Sequence, residues 1–286
     1  LTRPVILGIS GPVLSREARD MIRDYRPKGV ILFGRNIENP SQLSDLVALI
    51  RETLPEIMLM VDQEGGRVAR LRGPHWPDLP PAASLHTPEQ AHAHGRALGN
   101  MVRDAGFDIA AAPVLDLRLP GASDVIGDRA FSADPETVAR LGAAMAAGIM
   151  QAGVIPVMKH IPGHGRAAVD SHFALPVVNE ANLDADFLPF AENRNLPWAM
   201  SAHIVYTAYD DKRPATLSRT VIETVIRGRI GFEGILISDD LAMQALTGTP
   251  AERAVAALAA GCDIALYCAG DMAGNLSILE ALADVG

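Results

Sequence analysis

The chain has 286 residues, 49% of them hydrophobic and 21% charged, which suits one large α/β domain or two smaller ones and excludes a largely disordered chain. Its net charge of −9, from 25 Lys and Arg against 34 Asp and Glu, argues against nucleic acid or an anionic membrane as the main partner. No apolar run reaches the ~18 residues of a membrane span. No secretory leader is visible; because the chain begins at Leu1, that absence does not settle localisation.

One pattern repeats eight times: a short apolar, β-rich run and then a stretch with helix signals. The runs are Val5–Ser10, Gly29–Gly34, Ile57–Asp62, Asp108–Asp116, Ile155–His160, Trp198–His203, Gly234–Asp239 and Asp263–Tyr267. They are nearly continuous in apolar residues rather than alternating, as parallel strands covered on both faces are. Between them, Asn39-Pro40 and Asp134-Pro135 each read as an N-cap with proline at the first helical position. Thr249-Pro250-Ala251-Glu252 adds a capping box. Gly153 and Gly261 stand where helices should stop. The last helix is expected over roughly Met272 to Asp284.

Eight such units predict a single (β/α)8 TIM-type barrel over residues 1–286, with a doubly wound open sheet as the alternative. No linker composition divides the chain. Cys262 and Cys268 lie six apart in the last run. In extended chain that is roughly 20 Å, too far for a disulfide, and two free thiols suit a reducing compartment.

A barrel of this type carries its active site at the C-terminal ends of its strands. The third to seventh runs end in Asp62, Asp116, Lys159-His160, His203 and Asp239. So many ionisable groups at one rim point to a polar pocket, although each alone could be a cap or a surface charge. In Asp62-Gln63-Glu64-Gly65-Gly66-Arg67-Val68-Ala69-Arg70, an acid at a strand end precedes a Gly-Gly turn that lets backbone approach a ligand closely. Carboxylate and guanidinium groups here can bind hydroxyls.

From Lys159 to His172 the chain reads Lys-His-Ile-Pro-Gly-His-Gly-Arg-Ala-Ala-Val-Asp-Ser-His. Pro162 and Gly163 make the middle a loop. Asp170 and His172, two apart, share a face in extended chain, so the carboxylate can fix the histidine tautomer and raise its basicity. Such a histidine exchanges protons near neutral pH. His160 and His164 are four apart, but the proline and glycine between them forbid the helix a zinc pair needs, so no metal is expected. Ser171 and His172 point opposite ways in extended chain, and no nucleophile elbow is present, which counts against a serine hydrolase. At Ile235-Leu236-Ile237-Ser238-Asp239-Asp240 a carboxylate ends the seventh strand; spacing alone does not choose between Asp239 and Asp240 as the one facing the mouth.

These segments resemble glycoside hydrolase family 3, and within it the single-domain NagZ-type bacterial β-N-acetylhexosaminidases. The matching pieces also include Ile126-Gly127-Asp128-Arg129-Ala130-Phe131 and Ala202-His203, and all occur in the family's order. Ile161 stands where the family usually has phenylalanine. The resemblance implies that Asp239 is the nucleophile and that His172, assisted by Asp170, is the proton donor and then the base. It implies that Asp62, Arg70, Arg129, Lys159 and His160 hold the sugar, and His203 is counted with them. It implies no cofactor and no metal.

The reaction implied is retaining removal of non-reducing N-acetylglucosamine from muropeptide fragments, through a covalent glycosyl–aspartate, in the bacterial cytoplasm. A histidine acid/base departs from the usual two-carboxylate scheme, but a covalent intermediate still inverts the anomeric carbon twice. His172, on a loop, is expected to swing in on substrate binding. Two alternatives are a phosphorylase, since a neutral histidine does not repel phosphate, and a non-catalytic sugar-binding barrel. Oligomeric state is not legible.

Overall fold

Hydrogen bonding between parallel strands closes the sheet on itself. The computed structural model describes residues 2–122, 124–168 and 175–283. Within them lie β1 (Arg3–Gly8), β2 (Pro27–Leu32), β3 (Met58–Val61), β4 (Ile109–Ala110), β5 (Ile155–Ile161), β6 (Val177–Val178), β7 (Trp198–Ser201), β8 (Val205–Tyr206), β9 (Ile235–Asp240) and β10 (Ile264–Tyr267). Eight of these form a closed barrel in the order β1-β10-β9-β7-β5-β4-β3-β2, and β6 pairs with β8 outside it. The expected (β/α)8 barrel is therefore the fold, and the open sheet is not.

Among the described residues, seven α-helices follow the barrel strands: α1 (Arg16–Tyr25), α2 (Pro40–Thr53), α3 (Pro88–Asp104), α4 (Pro135–Gln151), α5 (Asp184–Glu192), α6 (Pro250–Ala260) and α7 (Met272–Ala281). A π-helix over Val221–Arg229 fills the remaining βα position, between β7 and β9. The expected caps are present. Asn39 accepts from the Gln42 N–H at 3.0 Å, and Asp134 accepts from that of Thr137 at 2.9 Å. Thr249 and Glu252 form a reciprocal capping box. Gly261 ends α6 at a φ of 120°, where a side chain would be strained.

Two apolar layers explain the near-continuous strand runs. One face packs into the barrel as an inner cluster of Ile6, Ile31, Met60, Ile109, Val157, Met200, Ile237 and Leu266, one from each strand. The other face, with Leu7, Leu32, Leu59, Met158 and Leu236, packs against the helices. Strand residues thus have apolar surroundings on both sides.

The fourth run, expected over Asp108–Asp116, is a strand only at Ile109–Ala110. Pro113 has no N–H to donate, so one donor of the ladder is missing there. The chain nevertheless stays beside β5: the Val157 and Lys159 N–H groups donate to the Ala112 and Pro113 carbonyls at 2.9 and 3.1 Å, and the Leu115 N–H donates to the Lys159 carbonyl at 2.8 Å. Cys262 and Cys268 are free and buried. Asp170, His172 and the expected end of the last helix at Asp284 lie outside the described residues.

Candidate active site

A cavity of about 170 Å³ opens at the C-terminal ends of the strands. Its walls include Asp62, Arg70, Arg129, Lys159, His160 and Asp239. These are six of the nine residues expected at the site, brought together from β5, β9 and the loops that follow β3 and β4.

A ladder of alternating charges forms one wall. Arg70 Nη2 stands 3.5 Å from Asp62 Oδ2, and Lys159 Nζ donates to Asp62 Oδ1 at 3.1 Å. Lys159 Nζ also lies 2.6 Å from Glu64 Oε1. Arg129 closes the ladder with two bonds to Glu64, at 2.8 and 2.9 Å. Lys159 is 2% exposed, so its ammonium exists in this position because two carboxylates compensate for lost hydration. Burial pushes the Lys159 amine down, but Asp62 and Glu64 outweigh it and hold it above its ordinary value. Burial likewise pushes both carboxyls up, and the cations win: Lys159 and Arg70 hold Asp62 low, and Arg129 and Lys159 hold Glu64 well below the carboxylate range.

Glu64 has no role in the reading from sequence. A signal for it exists: it lies two residues after Asp62, and residues two apart in extended chain share a face. The neighbouring Gly-Gly turn does something other than expected. A Cβ on Gly65 would sit 2.4 Å from the Pro80 carbonyl oxygen, and one on Gly66 would sit 2.7 Å from Pro81 Cβ. The glycines therefore admit the chain's own 79–81 segment. Arg67, just beyond, bonds Asp128 at 3.0 Å and the carbonyls of Asp124, Val125 and Ile126. That ties the loop bearing Arg129 onto the loop bearing Glu64.

His160 is held by Asp116, the buried acid that follows the broken fourth strand. Its Nδ1–H donates to Asp116 Oδ2 at 2.7 Å, and its backbone N–H and that of His164 donate to Asp116 Oδ1 at 3.1 and 2.7 Å. The tautomer is set, with Nε2 left to the cavity. Burial pushes Asp116 up, and His160 and His164 bring it below its ordinary value. His164 also lines the cavity, its ring edge-on to His160 at 5.5 Å between centroids. Burial, with the His160 charge, pushes His164 down to about 4, so it is neutral near pH 7.

Asp239 and Asp240 both border the cavity but are engaged differently. Asp240 Oδ1 accepts backbone N–H bonds from Ala242 and Cys268, both at 2.9 Å, clasping the end of β9 to the residue after β10. Asp239 accepts the Asp240 N–H at 2.7 Å. Burial pushes both carboxyls up. In Asp240 it prevails; in Asp239 the charges of His203 and His160 outweigh it, and the group lies below its ordinary value.

His203, expected among the sugar-holding residues, is fully buried and is not among the cavity walls. Its Nε2–H donates to the Asp240 carbonyl at 2.9 Å, and Nδ1 meets Thr216 Oγ1 at 2.8 Å. Both ring nitrogens are committed to the protein, so the residue holds the end of β9 at Asp240. A strand-end position could not reveal this, because Thr216 is thirteen residues downstream.

Residues 7–286 match the glycosyl hydrolase family 3 N terminal domain. The chain belongs to glycoside hydrolase family 3. It is 42% identical to a beta-hexosaminidase of Tolumonas auensis, over 98% of this chain and 86% of that one. Among solved structures, it is similar to a family 3 β-N-acetylglucosaminidase from a Paenibacillus strain, with a TM-score of 0.92 and 34% identity over 99% of this chain and 56% of that longer one. It is also similar to NagZ from Neisseria gonorrhoeae, solved with N-trifluoroacetyl-D-glucosamine, with a TM-score of 0.88 and 35% identity over 99% and 85%.

This family 3 chain is thus a glycoside hydrolase of the β-N-acetylhexosaminidase class, as the resemblance implies. The charge ladder and the end of β9 form the polar rim of this barrel.

Proposed function

We propose that the chain is a retaining exo-β-N-acetylglucosaminidase acting on peptidoglycan fragments, in which Asp239 is the nucleophile. The observation that carries this reading is the contrast between two adjacent acids: Asp240 is spent on backbone amides, whereas Asp239 is held ionised in the wall of a cavity it shares with cationic donors. An ionised carboxylate there can attack an anomeric carbon while Asp62, Arg70, Arg129, Lys159 and His160 bind the ring hydroxyls. A cavity of about 170 Å³ is smaller than the roughly 300–1,000 Å³ pockets of drug-sized ligands. It suits one sugar ring, hence cleavage at a chain end.

The leaving oxygen needs a proton as the C–O bond breaks. His172, with Asp170 on one of its ring nitrogens, is the proposed donor, and it then removes a proton from the water that releases the sugar. Both residues lie outside the described ones, so this part rests on the family motif. In this reading residues 1–286 form a single catalytic barrel domain, working on muropeptides with N-acetylglucosamine at the non-reducing end, in the bacterial cytoplasm.

The test is digestion of a purified N-acetylglucosaminyl-anhydromuropeptide. Release of N-acetylglucosamine as the β-anomer, seen by proton NMR before mutarotation, supports the reading. Release of the α-anomer would exclude the covalent route, and a sugar 1-phosphate formed only with added phosphate would make the enzyme a phosphorylase.

A further inference from the structure

The charge ladder holds four of its five members by close ion pairs, but Arg70 is different. Among the described residues its ionic partner is Asp62 alone, 3.5 Å away. Its Nε is buried and meets no hydrogen-bond partner among them. Long arginine side chains keep several rotamers unless something selects one, so a hydrogen bond does not explain why Arg70 stays at the cavity wall.

The Phe33 ring does. Arg70 Cζ lies over it at 5.3 Å from the centroid, within the ~6 Å range of cation–π attraction. The ring is itself half-buried against the inner cluster. Arg35 Cζ lies over it at 4.9 Å. Arg35 in turn donates from Nε to the Ile9 carbonyl at 2.9 Å and from Nη2 to the Cys268 carbonyl at 2.5 Å, anchoring it just beyond the ends of β1 and β10. Room for that guanidinium comes from Gly8 and Gly270, either of whose Cβ atoms would lie 2.8 Å from Arg35 Nη2. The Phe33 N–H is capped by Asn36 Oδ1 at 2.9 Å.

We infer that Phe33 is a positioning residue: with its backbone held by Asn36 and its ring packed against Arg35, its ring face selects the Arg70 rotamer that binds sugar. This rests on the sugar-binding role proposed for Arg70. Phe33 borders the cavity, but its contribution here runs through Arg70.

The experiment is steady-state kinetics on 4-nitrophenyl N-acetyl-β-glucosaminide with Phe33→Leu, Phe33→Trp, Arg70→Ala and the double variant Phe33→Leu/Arg70→Ala, alongside thermal melting. Phe33→Leu should raise KM about three- to thirtyfold, the range of cation–π attraction from exposed to desolvated, with kcat changed far less. Phe33→Trp, whose ring attracts cations best, should recover most of the loss. In the Arg70→Ala background the leucine should add little, because the side chain it misplaces is gone. An equal KM rise from Phe33→Leu with or without Arg70 would overturn the inference and make Phe33 a direct sugar contact. An unchanged KM in Phe33→Leu would also overturn it. No effect of Arg70→Ala alone would remove the sugar-binding role on which it rests.

Discussion

Lys159 Nζ stands 2.6 Å from Glu64 Oε1 and 3.1 Å from Asp62 Oδ1, so one ammonium, almost wholly buried, joins two carboxylates that arrive from the same loop. Asp62 is left with Arg70 and Glu64 with Arg129, and the sugar-facing wall behaves as one electrostatic object rather than five side chains. Removing one member should therefore disturb the others.

Glu64→Gln is expected to be costly in both stability and binding. It keeps the shape but strips the charge that compensates Lys159 and Arg129. Breaking one partner from a buried pair costs about 3–5 kcal/mol, and a chemical-denaturation midpoint should fall accordingly without a change in slope. KM should rise more than kcat falls, since the cations it holds bind substrate in ground and transition states alike. A variant as stable and as tight-binding as wild type would show that the ladder works without Glu64.

Asp240→Asn should separate the two adjacent acids from the other side. The amide oxygen still accepts the Ala242 and Cys268 N–H bonds, so activity should stay within about tenfold of wild type. Asp240→Ala leaves those N–H groups without their acceptor and should lose about 1–3 kcal/mol of stability. A complete loss of turnover in Asp240→Asn with a native melting curve would transfer the chemical role from Asp239 to Asp240.

His164 gives a stability signature in mild acid. Its folded-state pKa, near 4, lies below the ordinary 6.5. Below 6.5 the unfolded chain therefore binds a proton that the folded chain excludes. Stability from this group is present above pH 6.5 and is lost as the pH falls towards 4, by about 3 kcal/mol at the lower end. The carboxyls of Asp62, Glu64, Asp116 and Asp239, all held low, extend the loss to more acid pH in the same direction. Urea titrations from pH 7 to 4 should show the decline, and His164→Gln should flatten it in that window. An unaltered slope in the variant would mean that His164 is not the group responsible.

Much of the fold and part of the site are legible in the order of residues alone. Eight apolar runs and their caps imply the barrel, because helix caps and parallel strands each need particular residues at particular offsets. Asp62, Lys159 and His160 belong at the mouth because a strand end dictates where its last side chains emerge. What stays hidden depends on chain segments far apart. Glu64 acquires meaning only with Arg129 against it, 65 residues away. His203 supports the rim rather than lining it because Thr216 and the Asp240 carbonyl take both its nitrogens. The fourth run keeps its bonds to β5 past its two regular strand residues, but Pro113 interrupts the pattern by lacking a donor. Asp239 and Asp240 are neighbours in sequence and alike in chemistry, so only the backbone amides around them tell them apart.

The measurement that tests the central claim most directly is trapping of the glycosyl enzyme with a slow 5-fluoro-N-acetylglucosaminyl fluoride, followed by peptide mass spectrometry, alongside initial rates of Asp239→Ala on 4-nitrophenyl N-acetyl-β-glucosaminide. A covalent sugar is expected on the peptide containing Asp239, assigned to that residue by fragmentation. A rate loss of roughly 10⁴–10⁶ is expected in the variant, the scale on which removing a nucleophile or its partner acts. A label on another residue, or an Asp239→Ala enzyme that turns over at the wild-type rate, would contradict that claim.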